Sequence, residues 1–225
     1  LTEDLLEIFR ILMEAYGPQG WWPAETPEEM AIGAILTQNT SWRNVERALE
    51  NLRAAGLLDL ERLSLAEEDL VAELVRPAGF FRQKASYLKA LARECSELGG
   101  LEALLSMPTA EAREKLLKIR GIGLETADSI LLYAGGHPIF VVDSYTVRLL
   151  SRLGWKVSPT ARYEDLRLEI EGKLPRDVRI YQELHALVVV HCKSACRKRP
   201  LCDLCGPLAI GLDCEEGKKS RERAP

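Results

Sequence analysis

Apolar positions recur at helical spacing along nearly the whole chain. Leu5, Ile8, Phe9 and Leu12 form one stripe, which predicts a helix after a Thr2 cap and before Gly17-Pro18. Thr26-Pro27-Glu28-Glu29 combines a cap, a first-turn proline and a capping-box glutamate, and the helix it opens carries Met30, Ile32, Ile35 and Leu36. Val45, Leu49 and Leu52 mark the next helix, which ends near Gly56. Ser64-Leu65-Ala66-Glu67 predicts a second capping box, and a break at Pro77–Gly79 precedes a long helix through Tyr87, Leu88 and Leu91 to Gly99. Thr109 is expected to cap a helix running to Arg120; the turn Gly121-Ile122-Gly123 then leads into a helix from Leu124 to about Tyr133. Pro138–Val142 is the one strand-like run, too short for a sheet. Asp143 opens a helix through Val147, Leu149, Leu150 and Leu153, and two more are expected near 162–172 and 177–190. The pattern is that of an all-α protein of about ten helices.

Composition narrows the class. The chain has 225 residues, 47% hydrophobic and 28% charged, which fits a globular protein with a sizeable core. No apolar run approaches the ~20 residues of a membrane span, and no basic-then-apolar leader opens the sequence, so a cytoplasmic location away from membranes is expected. A net charge of −4 excludes a surface that is cationic throughout and leaves room for a local basic patch. Such a patch is offered by Lys193, Arg197, Lys198 and Arg199, which read either as a solvated loop or as phosphate contacts. The charged tail Lys218–Arg223 is expected to be disordered.

Cys95 stands alone, while Cys192, Cys196, Cys202, Cys205 and Cys214 crowd one end. A disulfide framework would be spread over a short secreted chain, so a metal or cluster site is favoured, with Cys95 as a core thiol. Cys196, Cys202, Cys205 and Cys214 are separated by five, two and eight residues. That pattern supplies only one clean C-x-x-C pair where a zinc site more often has two, unless Cys192 and Cys196 form the other.

Gly121-x-Gly123 lacks the preceding strand and the third glycine of a dinucleotide loop. It reads either as an ordinary helix–helix turn or as a corner whose amides and helix dipole hold a phosphate. Asp143 reads as a helix cap or as a functional carboxylate.

Taken together, helix, glycine turn, helix, apolar run, Asp143 and terminal cysteines resemble the helix-hairpin-helix DNA glycosylases, the endonuclease III-like superfamily. The resemblance covers nearly the whole chain. It implies a helical barrel over 20–133, a second domain made of 1–19 and 134–225, and a cleft holding Glu125 and Asp143. It also implies that Asp143 is catalytic and that Gly121, Ile122 and Gly123 grip a DNA phosphate, often through a monovalent cation. A 4Fe-4S cluster would be held by Cys196, Cys202, Cys205 and Cys214, with Cys192 in reserve because the loop lengths depart from the family's pattern. Glu125 stands where bifunctional members carry the Schiff-base lysine, which implies weak or absent lyase activity. With Trp21 and Trp42 as base-stacking residues, Trp22 as a structural one and Gln38 as the duplex wedge, the pocket is similar to that of 3-methyladenine glycosylases. The function implied is hydrolytic removal of a flipped, damaged base, of the alkylated purine class, from double-stranded DNA by a monomer. Excision of oxidised, deaminated or mismatched pyrimidines is the alternative chemistry, and a non-catalytic DNA-binding iron–sulfur protein is the alternative class.

Overall fold

The computed structural model describes residues 4–155, 163–205 and 214. The chain forms two compact units, one made of Leu1–Trp21 with Pro138–Pro225, the other of Trp22–His137. α1 (Leu5–Tyr16) belongs to the first. The Trp22–His137 unit contains α2 (Pro27–Leu36), α3 (Trp42–Ala54), α4 (Leu60–Leu65), α5 (Glu68–Leu74), a 3-10 turn at Arg76–Ala78, α6 (Phe81–Leu98), α7 (Leu101–Leu105), α8 (Thr109–Lys118) and α9 (Leu124–Ser129). α9 runs on into a π-helical turn at Ile130–Ala134. α10 (Ser144–Arg152), α11 (Tyr163–Lys173), α12 (Val178–Ser194) and the short α13 (Cys202–Cys205) complete the first unit. The fold is all-α, with no strand among the described residues.

α2 is the centre of its unit. Every residue from Glu29 to Leu36 is buried, because α3, α6, α9 and the π-helical turn surround it. A helix covered on all sides reads as a near-continuous apolar run rather than a stripe. In the other unit, α12 lies against α1 and α10, and its run Leu184–Val189 is buried. The extended segment Pro138–Val142 needs no strand partner: Phe140 N–H donates to Glu171 Oε1 at 2.8 Å and Val142 N–H to the Tyr163 hydroxyl at 3.2 Å.

Several predicted caps move. Thr2 lies outside the described residues; Asp4 caps α1, accepting from Leu6 N–H at 2.9 Å. Thr26 caps α2 as expected, accepting from Glu29 N–H at 3.1 Å, but the Glu29 carboxylate turns to Glu25 N–H and Arg53. The box at Ser64–Glu67 does not form. Asp59 starts α4 earlier, which puts Ser64 inside the helix with its hydroxyl donating to Glu61 O, and Glu67 makes no cap bond. Pro108, not Thr109, precedes α8, and the Thr109 hydroxyl pairs with His137 Nδ1 at 3.0 Å. The sequence Lys218–Arg223 lies outside the described residues.

Candidate active site

α8, the turn Ile119–Gly123 and α9 form a helix–hairpin–helix. Ile122 N–H closes the turn on Ile119 O at 3.1 Å, and the Ile122 side chain is buried beneath it. The two helices are locked by Arg113 and Asp128, whose paired contacts are 2.6 and 3.1 Å with Asp128 fully buried. A bidentate pair of this kind fixes geometry as well as contributing energy. The two glycines differ. Gly121 has φ +90°, and a Cβ there would sit 2.0 Å from the Tyr87 ring. Gly123 is in ordinary extended backbone with open space around it. No side chain caps Gly123, so the start of α9 presents its amides with Glu125 exposed in the first turn.

Gln38 belongs to the hairpin. Its Nε2 donates to Gly121 O at 3.0 Å and to Thr126 Oγ1 at 3.1 Å. The residue that stands out beside it was not singled out by sequence. Phe80 is 66% exposed and has φ +46°, and it shares a pocket with Gln38, Asn39, Gln83, Lys84 and Tyr87. The signal available was slight: an aromatic pair after Gly79 at a helix start.

The three expected tryptophans divide between the two units. Trp42 packs edge-on to Trp22 at 5.5 Å, and Trp22 lies 5.4 Å from Tyr133. Gly33 of α2 faces the Trp22 ring at ordinary contact distance, 3.5 Å from a Cβ placed there. Trp42 Nε1–H donates to Glu46 Oε1 at 2.9 Å. Trp22, expected to be structural, is therefore the ring that joins Trp42. Trp21 belongs to the other unit, where it meets His185 edge-on at 6.4 Å with Lys193 Nζ 5.8 Å above it. Trp21 and Trp22 are half-buried neighbours that fall in different units, which spacing alone does not reveal.

Asp143 is the N-cap of α10 and is buried. Its Oδ1 accepts from Thr146 N–H at 2.7 Å and from the Thr146 hydroxyl at 2.9 Å, while His185 Nε2 stands 3.6 Å from Oδ2. Burial pushes this carboxyl up, but His185 and the Thr146 bonds outweigh it and the net shift is downward. The result is an ionised carboxylate held in one orientation in a dry setting. His185 escaped the sequence reading because a histidine in an apolar helix reads as core.

In the cysteine segment, Cys196 ends buried beyond α12 and receives Arg152 Nη1–H at 3.0 Å. The same guanidinium donates to Arg197 O at 2.8 Å and Lys198 O at 3.2 Å. The bond from Cys192 holds the Cys196 thiol down, to about 4, with burial opposing and His191 and Arg152 assisting. Cys205 is pushed up to about 11 by burial and by negative charge at Cys196, Cys202 and Cys214. The charge that Cys205 feels from three other cysteines is of the kind a cationic iron–sulfur group would relieve. No group of three or more His, Cys, Asp or Glu among the described residues is arranged to hold a metal ion as it stands. Cys192 donates to Tyr145 O at 3.6 Å, and Cys95 is a buried core thiol pushed up to about 12 by burial. Of the basic residues, Lys193, Arg197, Lys198 and Arg199 are all exposed, with Arg197 Nε–H bonded to Lys193 O at 2.9 Å.

Residues 32–176 match the family model described as HhH-GPD superfamily base excision DNA repair protein. The chain belongs to this superfamily. Its likeness to a Methanocaldococcus jannaschii protein, named as a candidate DNA repair glycosylase, is 49% identity over 206 residues, 90% of this chain and 93% of that one. A solved H. pylori 3-methyladenine DNA glycosylase bound to 1,N6-ethenoadenine superposes with a TM-score of 0.75 at 30% identity, covering 84% of this chain and 97% of that one. A non-covalent endonuclease III–DNA complex superposes with a TM-score of 0.81 at 19% identity, covering 99% and 100%. The fold is that of endonuclease III, and the HhH-GPD chain is a DNA glycosylase of base excision repair. No helix of the described residues is long and apolar enough to cross a membrane.

Proposed function

We propose that this glycosylase hydrolyses the glycosidic bond of N-alkylated purines of the 3-methyladenine class in double-stranded DNA and leaves the abasic site uncleaved. The observation that carries the reading is Asp143, ionised and held in one orientation; Glu125, exposed in the first turn of α9, is a carboxylate where an imine would need an amine. As the bond breaks, positive charge develops on the sugar. The Asp143 carboxylate stabilises that charge and orients the attacking water. An alkylated purine is cationic and therefore a good leaving group, which suits a site without a strong acid. Aromatic faces attract such a base, by about 0.5–2 kcal/mol. Trp42 is the stacking candidate in its unit, joined by Trp22 and made electron-rich by the Glu46 carboxylate on its indole N–H; Trp21 is the candidate in the other. Glu125 adds negative charge favourable to a cationic base.

In this reading the Gly123 amide and the uncapped first turn of α9 take a backbone phosphate, on a turn shaped by Gly121 and by the Ile122 N–H bond to Ile119 O, and Lys193, Arg197, Lys198 and Arg199 supply further phosphate contacts. A monovalent cation at the hairpin would use the second lone pairs of Gly121 O and Ile119 O, which accept from Gln38 Nε2 and Ile122 N–H. Gln38 and Phe80 fill the gap left by the extruded nucleotide, Phe80 as the projecting wedge and Gln38 as its brace to the hairpin. A 4Fe-4S cluster held by Cys196, Cys202, Cys205 and Cys214 would fix the shape of the basic loop. Anaerobically purified protein should then be brown with iron and sulfide in equal amounts, and serine at any of the four positions should bleach it while Cys95→Ser does not. A colourless zinc protein, or bleaching by Cys192→Ser but not Cys214→Ser, would refute that ligand set.

The test of function is a panel of single-lesion duplexes scored with and without alkali. Release of 3-methyladenine with strand breaks only after alkali is expected, by a monomer. Faster release of thymine glycol, uracil or mismatched thymine would replace this reading with pyrimidine excision. Borohydride trapping would point to a lysine that takes the lyase role; Lys118 is engaged at 2.7 Å by Glu114.

A further inference from the structure

Two non-glycine residues among the described ones have positive φ: Asn39 at +53° and Phe80 at +46°. A left-handed backbone is unfavourable for a residue such as phenylalanine. Phe80 is also the N-cap of α6, a place where extended backbone and a polar side chain are usual. Strain of this kind persists only where its surroundings hold it. Both strained residues flank carbonyls held by a single amine. Lys84 Nζ donates to Leu36 O, the last carbonyl of α2, three residues before Asn39, at 2.8 Å. It also donates to Ala78 O, two residues before Phe80, at 2.8 Å. Lys84 N–H takes Phe80 O at 2.9 Å.

Lys84 is 2% exposed. Burial alone pushes its amine down to about 8. An ammonium buried among carbonyl oxygens is costly. Lys89, one turn and a half further along α6, makes a similar set of bonds to Leu63 O, Ser64 O and Ala66 O, where it closes a loop with neither strained residue.

We infer that Lys84 is a positioning residue for base extrusion: its ammonium ties the 36–39 and 78–80 loops together and holds Phe80 projecting, ready to enter the duplex. This rests on the reading of Phe80 as a wedge. The α2 dipole ends at Leu36 O, so the cation is favoured where the clamp needs it. A wedge fixed before binding spares the ordering cost that a mobile one would incur at the moment of extrusion.

The experiment reads extrusion without catalysis. The protein is mixed with a duplex carrying a tetrahydrofuran abasic analogue opposite 2-aminopurine, whose fluorescence rises on unstacking. Wild type should give the rise. Phe80→Ala and Lys84→Met should each reduce its rate about tenfold or more, in keeping with the cost of misplacing a working group by about an ångström. The double variant should be no slower than the slower single one, because both act through one side chain. Lys84→Arg, which keeps charge and donors, should recover part of the loss. Lys89→Met should lower the melting temperature without changing the rate. Should Lys84→Met fail to fold, Lys84→Arg with Phe80→Ala completes the same cycle. Additive losses in the double variant, or a loss in Lys89→Met equal to that in Lys84→Met, would overturn the inference. So would a flat wild-type signal. Failure of the glycosylase reading shows separately, as extrusion without base release on the lesion panel.

Discussion

α9 and α10 begin in opposite ways. α9 starts at Gly123 with no side-chain cap, in open space, after a turn pinned by Gly121. α10 starts at Asp143, which satisfies its own helix by accepting from Thr146 N–H and is buried. An uncapped start leaves amides for an external anion; a capped start fixes a carboxylate in place. In the proposed reading one helix end receives charge through its backbone shape, and the other presents it through one side chain.

The largest expected effect separates charge from cap. Asn is as good a cap as Asp, so Asp143→Asn should keep the fold and lesion binding while excision falls at least about a hundredfold. Asp143→Ala should lose excision equally and also about 1 kcal/mol of stability, read by denaturant titration. Near-normal turnover in Asp143→Asn would reduce Asp143 to a helix cap and end the contrast.

The hairpin glycines come next. Gly121→Ala combines a left-handed backbone with a clash on Tyr87, and should weaken lesion-duplex affinity about tenfold or more. Gly123→Ala meets neither obstacle and should change affinity less than about twofold. Equal losses in a binding titration would mean that the turn does not act through its backbone shape.

A smaller effect is expected from Thr146→Val. It removes the hydroxyl bond to Asp143 Oδ1 but leaves the backbone one, so kcat should fall by about tenfold with KM little changed. A change confined to KM would place Thr146 in binding.

The smallest effect is in pH. Because folding lowers the Asp143 pKa, its contribution to stability is complete above the unfolded value of about 3.9 and is lost as pH falls through the lower folded one. The stability difference between wild type and Asp143→Ala should accordingly shrink in melts below that pH. A gap that closes nearer neutrality would contradict the depressed pKa.

The class and most helix positions were legible because they are local. Apolar spacing gives helices, a glycine turn between two helices gives a hairpin, and Asp before an apolar helix gives a cap. Capping was less legible: Ser64 falls inside α4, which Asp59 caps, because where a helix starts depends on how its neighbours pack. His185 and Phe80 were not legible at all: one looks like core, the other like half of an aromatic pair.

The sequence by itself determined an all-α chain, the hairpin, the carboxylates at Asp143 and Glu125, and a cysteine-rich end, because each depends on neighbours within a few residues. Only the tertiary structure decided that Trp22 rather than Trp21 joins Trp42, that Gln38 is bonded to Gly121, and that Lys84 holds two loops from 48 and 6 residues away. Those contacts depend on helix packing that brings distant carbonyls and rings together, and no local spacing encodes which distant group a side chain will meet.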